Sequence, residues 1–125
     1  MKNLILIIED DKFFRDLVSK KLENSGLEVI LAADSKETFA LLEEKKPSLI
    51  ISDLILPGLD GFELISMIKK DEKTKDIPLI VLSNLGQKDE IEKAMSLGAI
   101  DFLVKVNFTP DEIVNKIKKV LAGKF

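Results

Sequence analysis

The chain has 125 residues, 46% of them apolar, which fits one soluble domain with its own core. Its net charge of −3 gives no reason to expect direct binding to nucleic acid. The absence of cysteine and histidine excludes disulfides, thiolate metal sites and histidine-based acid–base catalysis. Any metal must therefore bind through oxygen ligands, which favours magnesium, calcium or manganese.

No segment has the composition of a membrane span or a signal peptide. The longest apolar runs, such as Leu4 to Ile8, are far shorter than the ~20 residues of a spanning helix. Acidic residues follow that run directly, where a signal peptide would have a longer apolar region and small residues for cleavage. We therefore expect a cytoplasmic protein that does not bind membranes, with residues 1–125 forming a single domain.

Five short segments rich in isoleucine, leucine and valine predict β-strands along the chain. Four of them lack the alternation of a half-exposed strand, so we expect strands buried on both faces, as in a parallel sheet. The five segments are Leu4–Ile8, Leu27–Leu31, Leu49–Ser52, Leu79–Leu82 and Phe102–Val104.

Between these segments, apolar residues recur with the period of an α-helix. The first helix is predicted by the spacing of Phe14, Leu17, Val18 and Leu22. The last helix has a capping box at its start, in the sequence Thr109–Glu112. The resulting order is (βα)5, and its short crossovers are right-handed. The sequence therefore predicts a doubly wound α/β fold of the flavodoxin-like type, with a five-stranded parallel sheet in the order 2-1-3-4-5.

Side chains with compatible chemistry follow four of the predicted strands. Glu9 and Asp10 follow the first strand, Asp53 the third, Ser83 the fourth and Lys105 the fifth. Because these strand ends share one edge of the sheet, we expect the side chains to lie together. Clustered carboxylates repel one another unless a cation compensates, and Mg2+ accepts carboxylates, waters and phosphoryl oxygens. Such a carboxylate can attack phosphorus, while the metal and a lysine neutralise charge on the transferring group.

Each of these residues taken alone also has a structural explanation. An acidic residue at the end of a strand commonly caps a helix or begins a turn. A single lysine such as Lys105 is usually solvated at the surface, and Ser83 could simply start a turn. The functional interpretation depends on the combination, because four strand ends supply one coherent set of groups.

Four segments resemble the motifs of response regulator receiver domains. Ile5–Asp11 is similar to the acidic motif of their first strand, and Ser52–Gly61 is similar to their phosphoacceptor motif around Asp53. Val81–Asn84 resembles the switch hydroxyl motif, and Phe102–Lys105 resembles the lysine motif. The four motifs occur in the family's order, and the resemblance covers the whole chain as a single receiver domain.

The resemblance implies a phosphorylation switch that works as a signalling domain rather than a metabolic enzyme. Asp53 would accept a phosphoryl group, which Ser83 and Lys105 would bind, and the domain would catalyse its own phosphorylation and dephosphorylation. Ser83 and Phe102 would be the switch residues. The donor would be a histidine kinase or a phosphotransfer protein, since this chain has no histidine. A separate downstream effector protein would bind the last two helices and the last strand.

The resemblance also implies a Mg2+ site beside the phosphoacceptor. Asp10, Asp53 and the backbone carbonyl of Ile55 would be direct ligands, and Glu9 would act mainly through a metal-bound water. One departure from the family follows the lysine, where Val106 replaces the usual proline and its cis peptide bond. A cis bond before a non-proline residue costs about 2.5–4 kcal/mol, so we predict a trans bond there.

Three other interpretations remain open. A receiver-like interaction module that acts without phosphorylation would have no need of the complete set of acid, hydroxyl and lysine. A flavodoxin-like cofactor domain would need a phosphate loop rich in serine, threonine or glycine after the first strand, where acids stand instead. A Toprim-type magnesium enzyme acting on nucleic acid would need an acid two residues after Asp53, where Ile55 stands.

Overall fold

Five parallel strands form one sheet between two layers of helices in the computed structural model, which describes residues 3–123. The elements in chain order are β1 (Leu4–Ile8), α1 (Lys12–Asn24), β2 (Glu28–Ala32), α2 (Ser35–Glu44), β3 (Leu49–Ser52), β4 (Ile55–Leu56), β5 (Leu59–Asp60), α3 (Gly61–Lys70), β6 (Leu79–Ser83), α4 (Lys88–Ser96), β7 (Asp101–Val104) and α5 (Pro110–Leu121). A short 3-10 turn, Lys105–Asn107, links β7 to the last helix.

The strand order of the sheet is β2-β1-β3-β6-β7, and every neighbouring pair is parallel. This is the predicted 2-1-3-4-5 order once the separate hairpin of β4 and β5 is set aside. The doubly wound flavodoxin-like fold is therefore confirmed. The second strand begins at Glu28, one residue later than predicted, and the hairpin was not predicted.

The sheet has an apolar core on each face, which explains why its central strands read as unbroken apolar runs. In β1, Ile5 and Ile7 pack on the side of α1 and α5, whereas Leu6 and Ile8 pack on the opposite side. The first side also buries helix residues Val18, Leu22, Ile113, Val114, Ile117 and Val120. The second side buries helix residues Leu64, Ile65, Ile68 and Ala94.

Capping side chains determine where the first and last helices begin. The predicted capping box of α5 is present: the Glu112 amide donates to Thr109 Oγ1 at 3.2 Å, and the Thr109 amide donates to Glu112 Oε1 at 2.9 Å. Helix α1 is capped by Asp11, whose Oδ1 accepts from the Phe14 amide at 3.1 Å. The first helix therefore begins immediately after Glu9 and Asp10, and its first turn lies beside them.

The β4–β5 hairpin joins β3 to α3 through an unusually close backbone contact. The Gly61 amide donates to the Leu54 carbonyl oxygen at 3.0 Å. A Cβ atom on Gly61 would lie only 2.4 Å from the Leu54 Cα, so any other residue would displace this backbone. The glycine thereby fixes the chain immediately after Asp53.

The turn after β7 has ordinary peptide geometry. All peptide bonds within residues 3–123 are trans, which confirms the prediction for the bond between Lys105 and Val106. The Phe108 amide donates to the Lys105 carbonyl at 3.3 Å and closes the 3-10 turn. None of the helices in this range is long and apolar enough to span a bilayer.

Candidate functional site

The register of the two central strands brings three carboxylates together. Ile8 pairs with Ser52, so Glu9 and Asp53 leave neighbouring strands side by side. Carboxylate oxygens of Glu9, Asp10 and Asp53 all lie within 4.8 Å of one another. Glu9 is 3% exposed and Asp53 is 7% exposed, whereas Asp10 is open to solvent. The cluster therefore has a buried base and an accessible mouth.

Lys105 supplies the positive charge that faces this cluster. It follows β7 directly, and its side chain is 12% exposed. Its ammonium donates to Asp53 Oδ2 at 2.9 Å and also to Glu9 Oε1. One cation is thus shared by two buried carboxylates, which partly offsets the cost of removing them from water.

Backbone amides hold the other oxygen of each buried carboxylate. Asp53 Oδ1 accepts from the amides of Leu54 at 2.6 Å and Ile55 at 3.3 Å. Glu9 Oε2 accepts from the Asp11 amide at 3.1 Å. In each of these two carboxylates, one oxygen accepts from backbone amides and the other accepts from the Lys105 ammonium. Both carboxylates are therefore oriented before any ligand binds.

Burial and charge change the proton affinities of the groups at this site. Burial raises the pKa of Glu9 to about 7, and the neighbouring Asp53 charge adds to this rise, while the Lys105 hydrogen bond opposes it. Burial alone would lower the pKa of Lys105. Its hydrogen bonds to Glu9 and Asp53 outweigh that effect and hold the pKa above its ordinary value. The site therefore keeps Lys105 charged and disfavours ionisation of Glu9 beside the Asp53 charge.

The donor atoms at the cluster fit a hard divalent cation. All three candidate side chains offer carboxylate oxygen, which is the ligand type that Mg2+ and Ca2+ prefer. The exposure of Asp10 leaves room for the waters that a magnesium ion usually keeps. A divalent cation would also offset the anionic charge that one lysine cannot balance.

Ser83 and Ile55 lie at the same edge of the sheet, whereas Phe102 lies within β7, two residues before its end. Ser83 ends β6 next to Val104 of β7, is fully buried, and accepts the Leu85 amide on its Oγ at 3.3 Å. Ile55 lies in β4, with its amide directed at Asp53. Phe102 lies in β7, half-buried against the core on the α2–α4 side. Glu9, Asp10, Asp53 and Lys105 form one cluster, whereas Ser83 bonds within its own loop.

Two residues of α1 reach the site without having been predicted there. Phe14 was predicted only as part of the apolar stripe, yet the Lys105 ammonium lies 4.6 Å from the centre of its ring. Arg15, the only arginine in the sequence, donates to the Glu9 carbonyl at 3.3 Å. Their position in the sequence could have indicated these contacts. They stand four and five residues after Asp10, in the first turn of a helix that begins beside the site.

Comparison with known proteins decides the family. Residues 5–118 match the family model described as the response regulator receiver domain. The chain belongs to this family. It is 38% identical over 94% of its length to the phosphate regulon transcriptional regulatory protein PhoB of Pseudomonas aeruginosa, and the match covers 51% of that protein. The chain thus spans about half the length of the curated relative.

Two solved response regulator structures share the fold of this domain. The phosphorylated cyanobacterial phytochrome response regulator RcpA superposes with a TM-score of 0.88 and 29% identity, covering 100% of this chain and 97% of that one. The Mn(2+)-bound form of response regulator Rcp1 superposes with a TM-score of 0.83 and 30% identity, covering 94% and 92%. The chain is therefore a receiver domain of two-component signalling, a family whose general function is a phosphorylation switch, as its motifs predicted.

Proposed function

We propose that this domain is a magnesium-dependent switch in which Asp53 accepts a phosphoryl group from a protein histidine. The observation that carries the proposal is the arrangement around Asp53. Its carboxylate is held by backbone amides on one oxygen and by Lys105 on the other, within 4.8 Å of the oxygens of Glu9 and Asp10. A nucleophile, a cation and a set of metal ligands thus meet at one accessible edge of the sheet.

In the proposed metal site, Asp10, Asp53 and the backbone carbonyl of Ile55 bind Mg2+ directly, and Glu9 binds through a water. The clustered carboxylate oxygens support this proposal, as does the manganese-bound form of the related regulator Rcp1. When bound, the ion supplies positive charge next to the transferring phosphoryl oxygens.

In the proposed transfer, an oxygen of Asp53 forms a bond to phosphorus while the bond from phosphorus to the donor imidazole breaks. The electron pair of the broken bond returns to the imidazole nitrogen, which takes up a proton. Backbone hydrogen bonds have already oriented the Asp53 carboxylate, so little reorganisation is needed. Lys105 neutralises charge on the phosphoryl oxygens, and the Ser83 hydroxyl donates to one of them.

The sequence contains no histidine that could carry the phosphoryl group first. We propose that the donor is a histidine kinase or a phosphotransfer protein, and that both proteins act in the cytoplasm. Receiver domains interact with such kinases and with downstream effectors. We propose that this domain also binds a downstream effector.

Phosphorylation from acetyl phosphate tests the proposed function directly. Incubation with acetyl phosphate and Mg2+ is expected to give a slower band on Phos-tag electrophoresis. EDTA present during the incubation is expected to prevent this band from forming. Acetyl phosphate serves as the donor because the receiver itself holds the catalytic groups. The absence of a shifted band at saturating Mg2+ would instead favour an interaction module that acts without phosphorylation.

The output face is proposed to consist of α4, β7 and α5. A phosphoryl group on Asp53 would draw Ser83 away from its bond with the Leu85 amide, and the space left behind would admit the ring of Phe102. This is a shift between two packings of the same core. Amide shift changes on binding beryllofluoride with Mg2+, which mimics the phosphoryl group, should extend over these three elements. Changes confined to residues around Asp53 would show that Phe102 is static.

A further inference from the structure

The ring of Phe14 lies against the Lys105 ammonium. The Lys105 ammonium is 4.6 Å from the ring centre, within the range of a favourable cation–π interaction. Two features fix the ring in this place. Its backbone amide is bonded to the capping carboxylate of Asp11, and its side chain packs half-buried on the core beneath α1 and α5. The ring is therefore a rigid wall, whereas the lysine is a flexible four-carbon chain.

We propose that Phe14 is a positioning residue that holds Lys105 over the phosphoryl site, an inference that rests on the proposed function. In the structure the ammonium is oriented by Glu9 and Asp53, the two carboxylates that the metal and the phosphoryl group would engage. When these carboxylates are engaged, the ammonium loses partners that it has in the free protein. The aromatic face of Phe14 remains in contact with the ammonium, because the ring binds neither the metal nor the phosphoryl group.

The neighbouring residue, Phe13, provides a matched control. Phe13 and Phe14 are adjacent residues of α1, but the Phe13 side chain is 80% exposed, whereas the Phe14 ring covers the ammonium. Replacing either residue with leucine removes one aromatic ring and keeps an apolar side chain that favours a helix. A difference between the two variants therefore reports the position of the ring rather than the loss of a phenylalanine.

The test compares Phe14→Leu, Phe14→Tyr and Phe13→Leu in the full chain with acetyl phosphate and Mg2+. Phe14→Leu is expected to slow phosphorylation about three- to tenfold, as expected for the loss of one cation–π contact, with an unchanged half-saturating Mg2+ concentration. Phe14→Tyr is expected to restore the rate to within about twofold, because tyrosine presents a similar aromatic face. Phe13→Leu is expected to react like the wild type.

Two further measurements separate positioning from a structural effect. The NMR signal of the Lys105 methylene next to the ammonium should be shifted by the ring in the wild type and in Phe14→Tyr, and should lose this shift in Phe14→Leu. In a Lys105→Gln background, Phe14→Leu should cause no additional loss of rate, because the ring acts through the lysine.

Several outcomes would overturn this inference and leave the proposed function intact. These are a wild-type rate in Phe14→Leu with the Lys105 signal unmoved, a loss that Phe14→Tyr does not recover, or an equal loss in the Lys105→Gln background. If the wild type itself accepted no phosphoryl group, the proposed function would fail, and the inference would fail with it.

Discussion

Asp53→Asn is expected to abolish covalent phosphorylation, so that acetyl phosphate with Mg2+ produces no shifted band on Phos-tag electrophoresis. Asparagine has nearly the same shape as aspartate, and its carbonyl oxygen can still accept from the amides of Leu54 and Ile55. It lacks the anionic oxygen that attacks phosphorus, and its amide nitrogen cannot accept from Lys105, so the substitution removes the chemistry together with one hydrogen bond of the lysine. Far-UV circular dichroism should show an unchanged fold.

Asp71 offers a matched control for this substitution. Its Oδ1 also accepts from a backbone amide two residues along, that of Lys73 at 2.9 Å, but it lies at the end of α3, in the loop before β6. Asp71→Asn makes the same change in charge and should be phosphorylated like the wild type. A stoichiometric phosphoprotein in Asp53→Asn would show that another residue accepts the group.

Asp10→Asn is expected to weaken Mg2+ binding by at least about tenfold, because it removes one of the proposed direct carboxylate ligands. The half-saturating Mg2+ concentration can be measured by following backbone amide shifts in an NMR titration. Phosphorylation by acetyl phosphate should then require correspondingly more Mg2+. An unchanged affinity would contradict the assignment of Asp10 as a ligand.

The same variant should stabilise the metal-free protein. Asp10 lies beside two buried carboxylates, so removing its charge relieves repulsion that Lys105 offsets in part. Because Asp10 is exposed and screened by solvent, we expect a modest rise in Tm, about 2 °C. Saturating Mg2+ should raise the Tm of the wild type more than that of the variant at the same concentration.

Asp11 distinguishes the loss of a ligand from a general loss of charge. It is adjacent to Asp10 but caps α1, and asparagine caps a helix as well as aspartate does. Asp11→Asn should therefore leave the Mg2+ affinity within about twofold of the wild type, a limit set by weak screened electrostatics. Equal weakening by both substitutions would attribute the effect to net charge rather than to coordination by Asp10.

The fold followed from the sequence because its strands are buried on both faces. An apolar run such as Leu49–Ser52 shows no alternation, and this pattern with helical segments between strands is typical of a parallel sheet. The β4–β5 hairpin was missed because two-residue strands are too short to show a period. Leu17 belongs to the predicted apolar stripe of α1 but is 36% exposed, since periodicity alone does not fix the rotation of a helix on the sheet.

The clustering of the site residues was predictable for a topological reason. Parallel strands bring their carboxyl ends to one edge, so Glu9, Asp10, Asp53 and Lys105 meet although they are distant in sequence. Contacts that depend on side-chain conformation could not be predicted, and the ring of Phe14 over the ammonium is the clearest example. The catalytic, metal-binding and switch roles of the individual residues remain predictions.

Chemical trapping of the phosphoryl group tests the central claim most directly. Borohydride reduces the acyl phosphate of a phosphorylated aspartate to an alcohol, which leaves homoserine that tandem mass spectrometry locates in the peptide. After treatment with acetyl phosphate and Mg2+, homoserine is expected at position 53, at neither Asp10 nor Asp11, and at no position when EDTA is present. Homoserine at another position, or a shifted band without homoserine at position 53, would contradict the assignment of Asp53 as the phosphoacceptor.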